Sequence, residues 1–188
     1  ATDTMILAVN DTVTANAGPD QTFCWNDYME LVGTELDTAG NWKTGTFRWW
    51  DITANPKVHM GTKDTLAYNI HNSTDFQLEL FVTEDTTTCY DADTVIITVN
   101  PLPIVKMPGD IEVCHDAGKI NLTLFEDSKT KGGAWYCPKN PSFVEKESEF
   151  ITSLAGIPGK STSNEIYYKY VHPSTGCVRT DSFTIKVN

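Results

Sequence analysis

One strand-like phrase occurs three times in the chain: DTMILAVN at 3–10, DTVIITVN at 93–100 and DSFTIKVN at 181–188. Successive copies are offset by 90 and then 88 residues, which is one domain length. A phrase that returns at that spacing marks a chain built from diverged copies of one unit. Other landmarks keep similar offsets: Cys24 with Cys114, Gly45 with Gly133, Asn55-Pro56 with Asn140-Pro141, and Cys89 with Cys177. The expected domains are 11–100 and 101–188. Because the phrase closes each repeat, residues 1–10 read as the closing strand of a preceding repeat. The alternative is an added edge strand of the first domain.

Each repeat reads as short strands separated by turn signals, and no stretch sustains the 3.6-residue apolar period of a helix. Met29 and Leu31 alternate, as do Phe76, Leu78, Leu80 and Val82, then Val95, Ile97 and Val99. The second repeat answers with Ile120, Leu122 and Leu124, then Ile166, Tyr168 and Tyr170, then Phe183, Ile185 and Val187. Alternation buries one face of a strand and wets the other, which suits antiparallel sheets packed as a sandwich. The expected class is all-β, as two tandem sandwiches. Pro101-Leu102-Pro103 would make a short, stiff joint after the first repeat.

Hydrophobic residues make up 40% of the sequence, too many for a disordered chain. No apolar run approaches the roughly 18 residues of a membrane span, so no membrane insertion is expected. The chain does not open with a charged segment followed by an apolar one, so any signal peptide has been removed or lay upstream. Net charge is −11, and it is uneven: residues 11–100 carry 14 acids and 4 bases, whereas 101–188 carry 10 of each. The acidic half lacks the basic patch from which nucleic-acid binding draws its affinity, so no nucleic acid is expected as partner. His59, His71, His115 and His172 have no metal-ligand spacing, and neither a nucleophile elbow nor a Gly-rich phosphate loop is visible. The chain reads as a non-enzyme.

The repeat suggests how the cysteines pair. Cys24 with Cys89 and Cys114 with Cys177 would each close one domain, since each cysteine holds the same place in its repeat. Disulfides of this kind imply an exported, extracellular or cell-surface protein. The alternative is a set of reduced core cysteines. Cys137 has no counterpart cysteine; it aligns with Trp49 and reads as a small buried hydrophobe.

The run ANAGPDQTFC at 15–24, with TTTCYDADTVIITVNPLP at 86–103 and STGCVRTDSFTIKVN at 174–188, resembles the PKD-like and Ig-like tandem repeats of large Bacteroidetes cell-surface proteins. Such repeats build the SprB-type gliding-motility adhesins that the type IX system secretes. The second repeat departs from the pattern, with MPGDIEVC where AGPDQTFC would be expected. The resemblance implies immunoglobulin-like sandwiches without catalysis of their own, whose partners are neighbouring repeats of the same chain.

Within that resemblance, Asp-Thr followed by a small or aliphatic residue is similar to the O-glycosylation sequon of this bacterial group. It would place sugar on Thr4, Thr12, Thr38, Thr65, Thr86 or Thr94. The alternative is that threonine is simply a common strand residue. Glu84, Asp85, Asp91 and Asp93 crowd the turn before the last strand of the first repeat and, with Asp20 near them beside the Cys24 disulfide, could supply several of the oxygens calcium needs. A solvated acidic turn is the competing reading. Trp49 and Trp50 cannot share one face of a strand; alignment of Phe47 and Trp49 with Trp135 and Cys137 puts Trp49 in the core. That leaves Trp50 and Trp42 at the surface, where an aromatic pair could stack on a surface polysaccharide. The favoured function is a structural or adhesive repeat that projects a distal region from the cell. A carbohydrate-binding module using the aromatics of the first repeat is the alternative.

Overall fold

Period-two alternation sets the local structure on both sides of residue 100. The computed structural model describes residues 13–37, 45–84, 87–146 and 148–188. The chain divides into two compact units, Ala1–Asn100 and Pro101–Asn188. In unit 1 the strands are β1 (Val13–Asn16), β2 (Gln21–Cys24), β3 (Tyr28–Val32), β4 (Thr34–Asp37), β5 (Thr46–Asp51), β6 (Val58–Gly61), β7 (Thr65–Asn69), β8 (Thr74–Glu84) and β9 (Thr87–Asn100). They form a five-stranded sheet in the order β2-β9-β8-β5-β6, with the ribbons β1-β4 and β3-β7. Met29, Leu31 and Leu66 from the β3-β7 ribbon meet Trp49, Phe76, Leu78, Val95 and Ile97 from the large sheet in one buried cluster. This is a core between two layers, built from the alternating residues of each.

Unit 2 contains β10 (Ile111–Val113), β11 (Lys119–Asn121), β12 (Ala134–Tyr136), β13 (Val144–Glu145), β14 (Glu149–Ile151), β15 (Thr162–Val171) and β16 (Val178–Val187). Its sheets run β10-β16-β15-β12 and β11-β14-β13. Trp135, Ile166, Tyr168, Phe183 and Ile185 of the first sheet pack with Cys137, Phe150 and Leu122 in the unit's core. Cys137 is 1% exposed, which agrees with its reading as a buried hydrophobe.

Both units close in the same way. β2 runs parallel to β9 with Gln21 opposite Ile97, and β10 runs parallel to β16 with Ile111 opposite Ile185. Just ahead of each parallel pair an aspartate accepts a backbone N–H from the closing strand: Asp20 from Ile96 at 2.9 Å and Asp110 from Thr184 at 2.8 Å. The second repeat therefore keeps the function of the first repeat's GPD although it spells it PGD.

Two expectations fail, each for a local reason. Ile120, Leu122 and Leu124 do not continue as one alternating strand. The Asn121 side chain accepts from the Thr123 N–H at 2.9 Å and caps a 3-10 turn over Leu122–Phe125, so Leu122 is buried while Leu124 is 79% exposed. The cysteine pairing also differs. Cys24 and Cys177 are each disulfide-bonded, whereas Cys89, Cys114 and Cys137 are not. Cys24 sits opposite Asn100 at the end of β9, while Cys89 sits opposite Val82 near its start. Eleven strand residues separate the two levels, about 36 Å, against the roughly 7 Å that a disulfide spans between Cα atoms. In unit 2, Cys114 follows Val113, which is opposite Val187, and Cys177 precedes Val178 at the other end of β16. The same distance keeps them apart. Native protein treated with iodoacetamide is expected to alkylate at the exposed Cys114 and to spare Cys137 until denaturant is added; peptide mapping by mass spectrometry reads both.

Tyr68 on β7 packs edge-on against Phe76, with ring centroids 6.2 Å apart. Burial, and then the Asp51 carboxylate, push its phenol up from 10.0 to about 12. The unfolded chain releases this proton near pH 10 and the folded chain does not. Stability from this group is therefore complete below pH 10 and is lost as pH rises toward 12. Denaturant midpoints across that range should fall in the parent and fall less in Tyr68→Phe.

Candidate functional site

The acidic residues of unit 1 act on the backbone. Asp91 and Asp93 lie two apart on β9, so their carboxylates leave the same face of the strand. Asp91 accepts the Ala15 N–H at 2.8 Å and Asp93 accepts the Ala17 N–H at 2.9 Å. These two charge-assisted bonds fasten the β1 segment to β9, and Asp20 is committed to Ile96 in the same way. Among the described residues no group of three or more His, Cys, Asp or Glu side chains could hold a metal ion. Asp85 and the Glu84 side chain lie outside the described residues. Three of the five carboxylates of the calcium reading, Asp20, Asp91 and Asp93, thus each accept a peptide N–H.

Unit 2 shows what happens when the rungs are absent. Arg179 and Asp181 stand where Asp91 and Asp93 stand in the first repeat, and Asp181 turns to the N–H of Ser182 at 2.9 Å. No strand forms between Pro101 and Asp110. Replacing both Asp91 and Asp93 by alanine should therefore release β1. Each lost bond to a charged group costs about 1.5–3 kcal/mol. Hydrogen exchange should accelerate at Ala15 and Ala17, with the amides of unit 2 unchanged.

Trp50 is not an open platform. It is half-buried; its Nε1 donates to Glu79 Oε2 at 2.7 Å, and the Lys57 ammonium lies 4.4 Å from the ring centroid. His59 meets the same ring edge-on at 5.0 Å. Lys57 also pairs with the other oxygen of Glu79 at 2.7 Å, which satisfies a carboxylate only 8% exposed. One face of the ring is thus covered by a cation. Trp42 lies outside the described residues.

Of the threonines, Thr94 is exposed on β9, and Thr65, half-buried at the start of β7, donates to Asp64 at 3.2 Å. Thr4, Thr12, Thr38 and Thr86 lie outside the described residues.

An aromatic pair that the sequence reading passed over stands on the outer face of unit 2. Tyr136 on β12 and Tyr167 on β15 are direct cross-strand partners, their rings stacked at 28° with centroids 5.5 Å apart. Their phenols share this face with Ser163 and Glu165 of β15, and a shallow recess of about 400 Å³ is lined by Pro138, Lys139, Ser163, Glu165 and Tyr167. A hydrogen bond to the Glu165 carboxylate, followed by burial, raises the Tyr167 phenol above its ordinary value. The signal was available in the 88-residue offset, which aligns Tyr136 with Arg48 and Tyr167 with Glu79.

No protein-family model matches the chain, and no curated protein matches it. Among solved structures it is similar to the PKD domain of human KIAA0319, at 16% identity and TM-score 0.38, over 58% of this chain and 99% of that one. It is similar to the titin domains z1z2 at 8% identity and TM-score 0.37, over 97% and 98% of the two chains. A SusE-like surface-located polysaccharide-binding protein of Bacteroides thetaiotaomicron is similar at 11% identity and TM-score 0.46, over 94% of this chain and 33% of that one.

Proposed function

We propose that the chain is a non-catalytic, immunoglobulin-like (PKD-like) repeat module of a secreted cell-surface protein, serving as a spacer or adhesive stalk. The observation that carries this reading is the common closing arrangement of the two units: a parallel first strand on the last strand at matching register, each introduced by an aspartate bonded to the backbone. A unit reproduced in this way is suited to use in series. Disulfide-bonded Cys24 and Cys177 fit an oxidising compartment outside the cytosol. No helix among the described residues is long and apolar enough to cross a membrane. The sequence resemblance extends the reading to large type IX-secreted adhesins, including those of gliding motility, with neighbouring repeats as the partners.

Stretching single molecules under reducing conditions tests the spacer role. Two cooperative unfolding steps are expected, each releasing about 30 nm for a unit of some 90 residues at roughly 3.6 Å per residue. Gradual extension without steps would remove the spacer reading. Antibody against the chain should label unpermeabilised cells that make the protein, and a signal only after permeabilisation would remove the surface assignment.

A further inference from the structure

The same pair of positions is closed in unit 1 and open in unit 2. In unit 1 the cross-strand partners are Arg48 and Glu79, and Glu79 is sealed by Lys57 and Trp50 where the chain turns through β6, the edge strand of that sheet. In unit 2 the equivalent partners are Tyr136 and Tyr167, and among the described residues the sheet ends at β12. After β12 the chain leaves for the other layer, where β13 pairs with β14. Among the described residues no counterpart of β6 lies beside the pair, and Tyr136 is 37% exposed. A pair of charged cross-strand residues has thus become an aromatic pair at the place where the covering strand is lost.

We propose that this face of unit 2 binds neutral polysaccharide, with Tyr136 and Tyr167 as the stacking platform and Glu165, Ser163 and Lys139 as the hydroxyl-binding groups. A tyrosine pair offers a rigid face for the C–H side of a sugar ring at small entropic cost. The Glu165 carboxylate accepts from Ser182 Oγ at 3.0 Å, which fixes it beside the platform. Ser163, Glu165 and Tyr167 alternate along β15 on one side, so platform and acceptors extend over about 13 Å. That length suits a polymer better than a single small molecule. The recess sets one carboxylate against one ammonium, in a unit with 10 acids and 10 bases, so nothing in it selects an ionic ligand. An uncharged, hydroxylated ring is the chemistry that fits. This site would add a ligand to the module and does not depend on the spacer role.

Affinity electrophoresis of the whole chain through gels containing laminarin, xylan, galactomannan or heparin tests the proposal. Retardation is expected in at least one neutral gel and weaker retardation or none in heparin. Tyr167→Ala and Tyr136→Ala should each weaken binding about tenfold or more, the scale of one lost aromatic contact. Tyr167→Phe should retain most of it, and Trp50→Ala should leave it unchanged. Near-ultraviolet circular dichroism of each variant shows that the unit is folded. Absence of retardation in all three neutral gels overturns the proposal. So does heparin-only retardation, or binding that survives Tyr167→Ala, or binding lost in Trp50→Ala.

Discussion

Trp135→Ala is expected to unfold unit 2 well below the temperature at which unit 1 melts. Trp135 is 1% exposed, packs against Tyr168 at a 39° tilt with centroids 4.4 Å apart, and meets Phe183 edge-on at 6.0 Å. Its Nε1 donates to Glu126 Oε1 at 3.1 Å, so truncation also strips a carboxylate of a partner. A Trp-to-Ala change in a core costs about 3–5 kcal/mol, and a small domain holds only about 5–15 in total. At roughly 4–8 °C per kcal/mol, the unit 2 transition should fall by about 12 °C or more. Scanning calorimetry would show one transition displaced and the other in place. Equal displacement of both would mean that the two cores do not melt independently, despite being separate clusters of buried side chains.

What the sequence displayed and what it hid divide along physical lines. Side-chain burial was legible, because a strand writes it with period two: Met29 and Leu31, Phe76 and Leu78, Ile166 and Tyr168, Phe183 and Ile185 all lie inside. The core place of Trp49 over Trp50 was legible for the same reason once the repeats were aligned. Partnership with the backbone was not. Asp91 and Asp93 look like metal ligands when only side chains are counted, since the peptide N–H groups they serve carry no letter in a sequence. The cysteines failed in another way. Equivalent positions in two repeats tell which cysteines correspond, but not that β9 and β16 hold them at opposite ends. The strand face of Trp50 does not reveal its cover, which comes from Lys57 and His59 beyond the next turn. The Tyr136 and Tyr167 pair stayed hidden because its significance lies in a missing neighbour, and pattern within a strand does not report what lies beside its edge.

Gly133→Ala is expected to be strongly destabilising for a one-carbon change. A Cβ at Gly133 would lie 2.5 Å from the Lys169 carbonyl oxygen, 2.5 Å from Tyr168 Cζ and 2.7 Å from its hydroxyl. None of these can yield cheaply: Lys169 contributes backbone, and the Tyr168 ring is fully buried against Trp135. The same hydroxyl accepts the Gly133 N–H at 2.8 Å and donates to the Thr130 carbonyl, so it ties the loop before β12 to β15. Overpacking here costs about 1–3 kcal/mol, and a buried group left without its hydrogen bond costs a further 1–3 or so. Tyr168→Phe isolates the second part, since it removes the hydroxyl and keeps the ring. The hydroxyl is also one of the atoms the new methyl meets, so the double variant should lose less stability than the two single variants summed. Denaturant unfolding of the four proteins measures that difference. Gly109→Ala, where a Cβ meets nothing within 4 Å, should unfold like the parent. Strict additivity would mean that the loop yields before the tyrosine does, and that the hydroxyl bridge and the close approach are separate features of the unit.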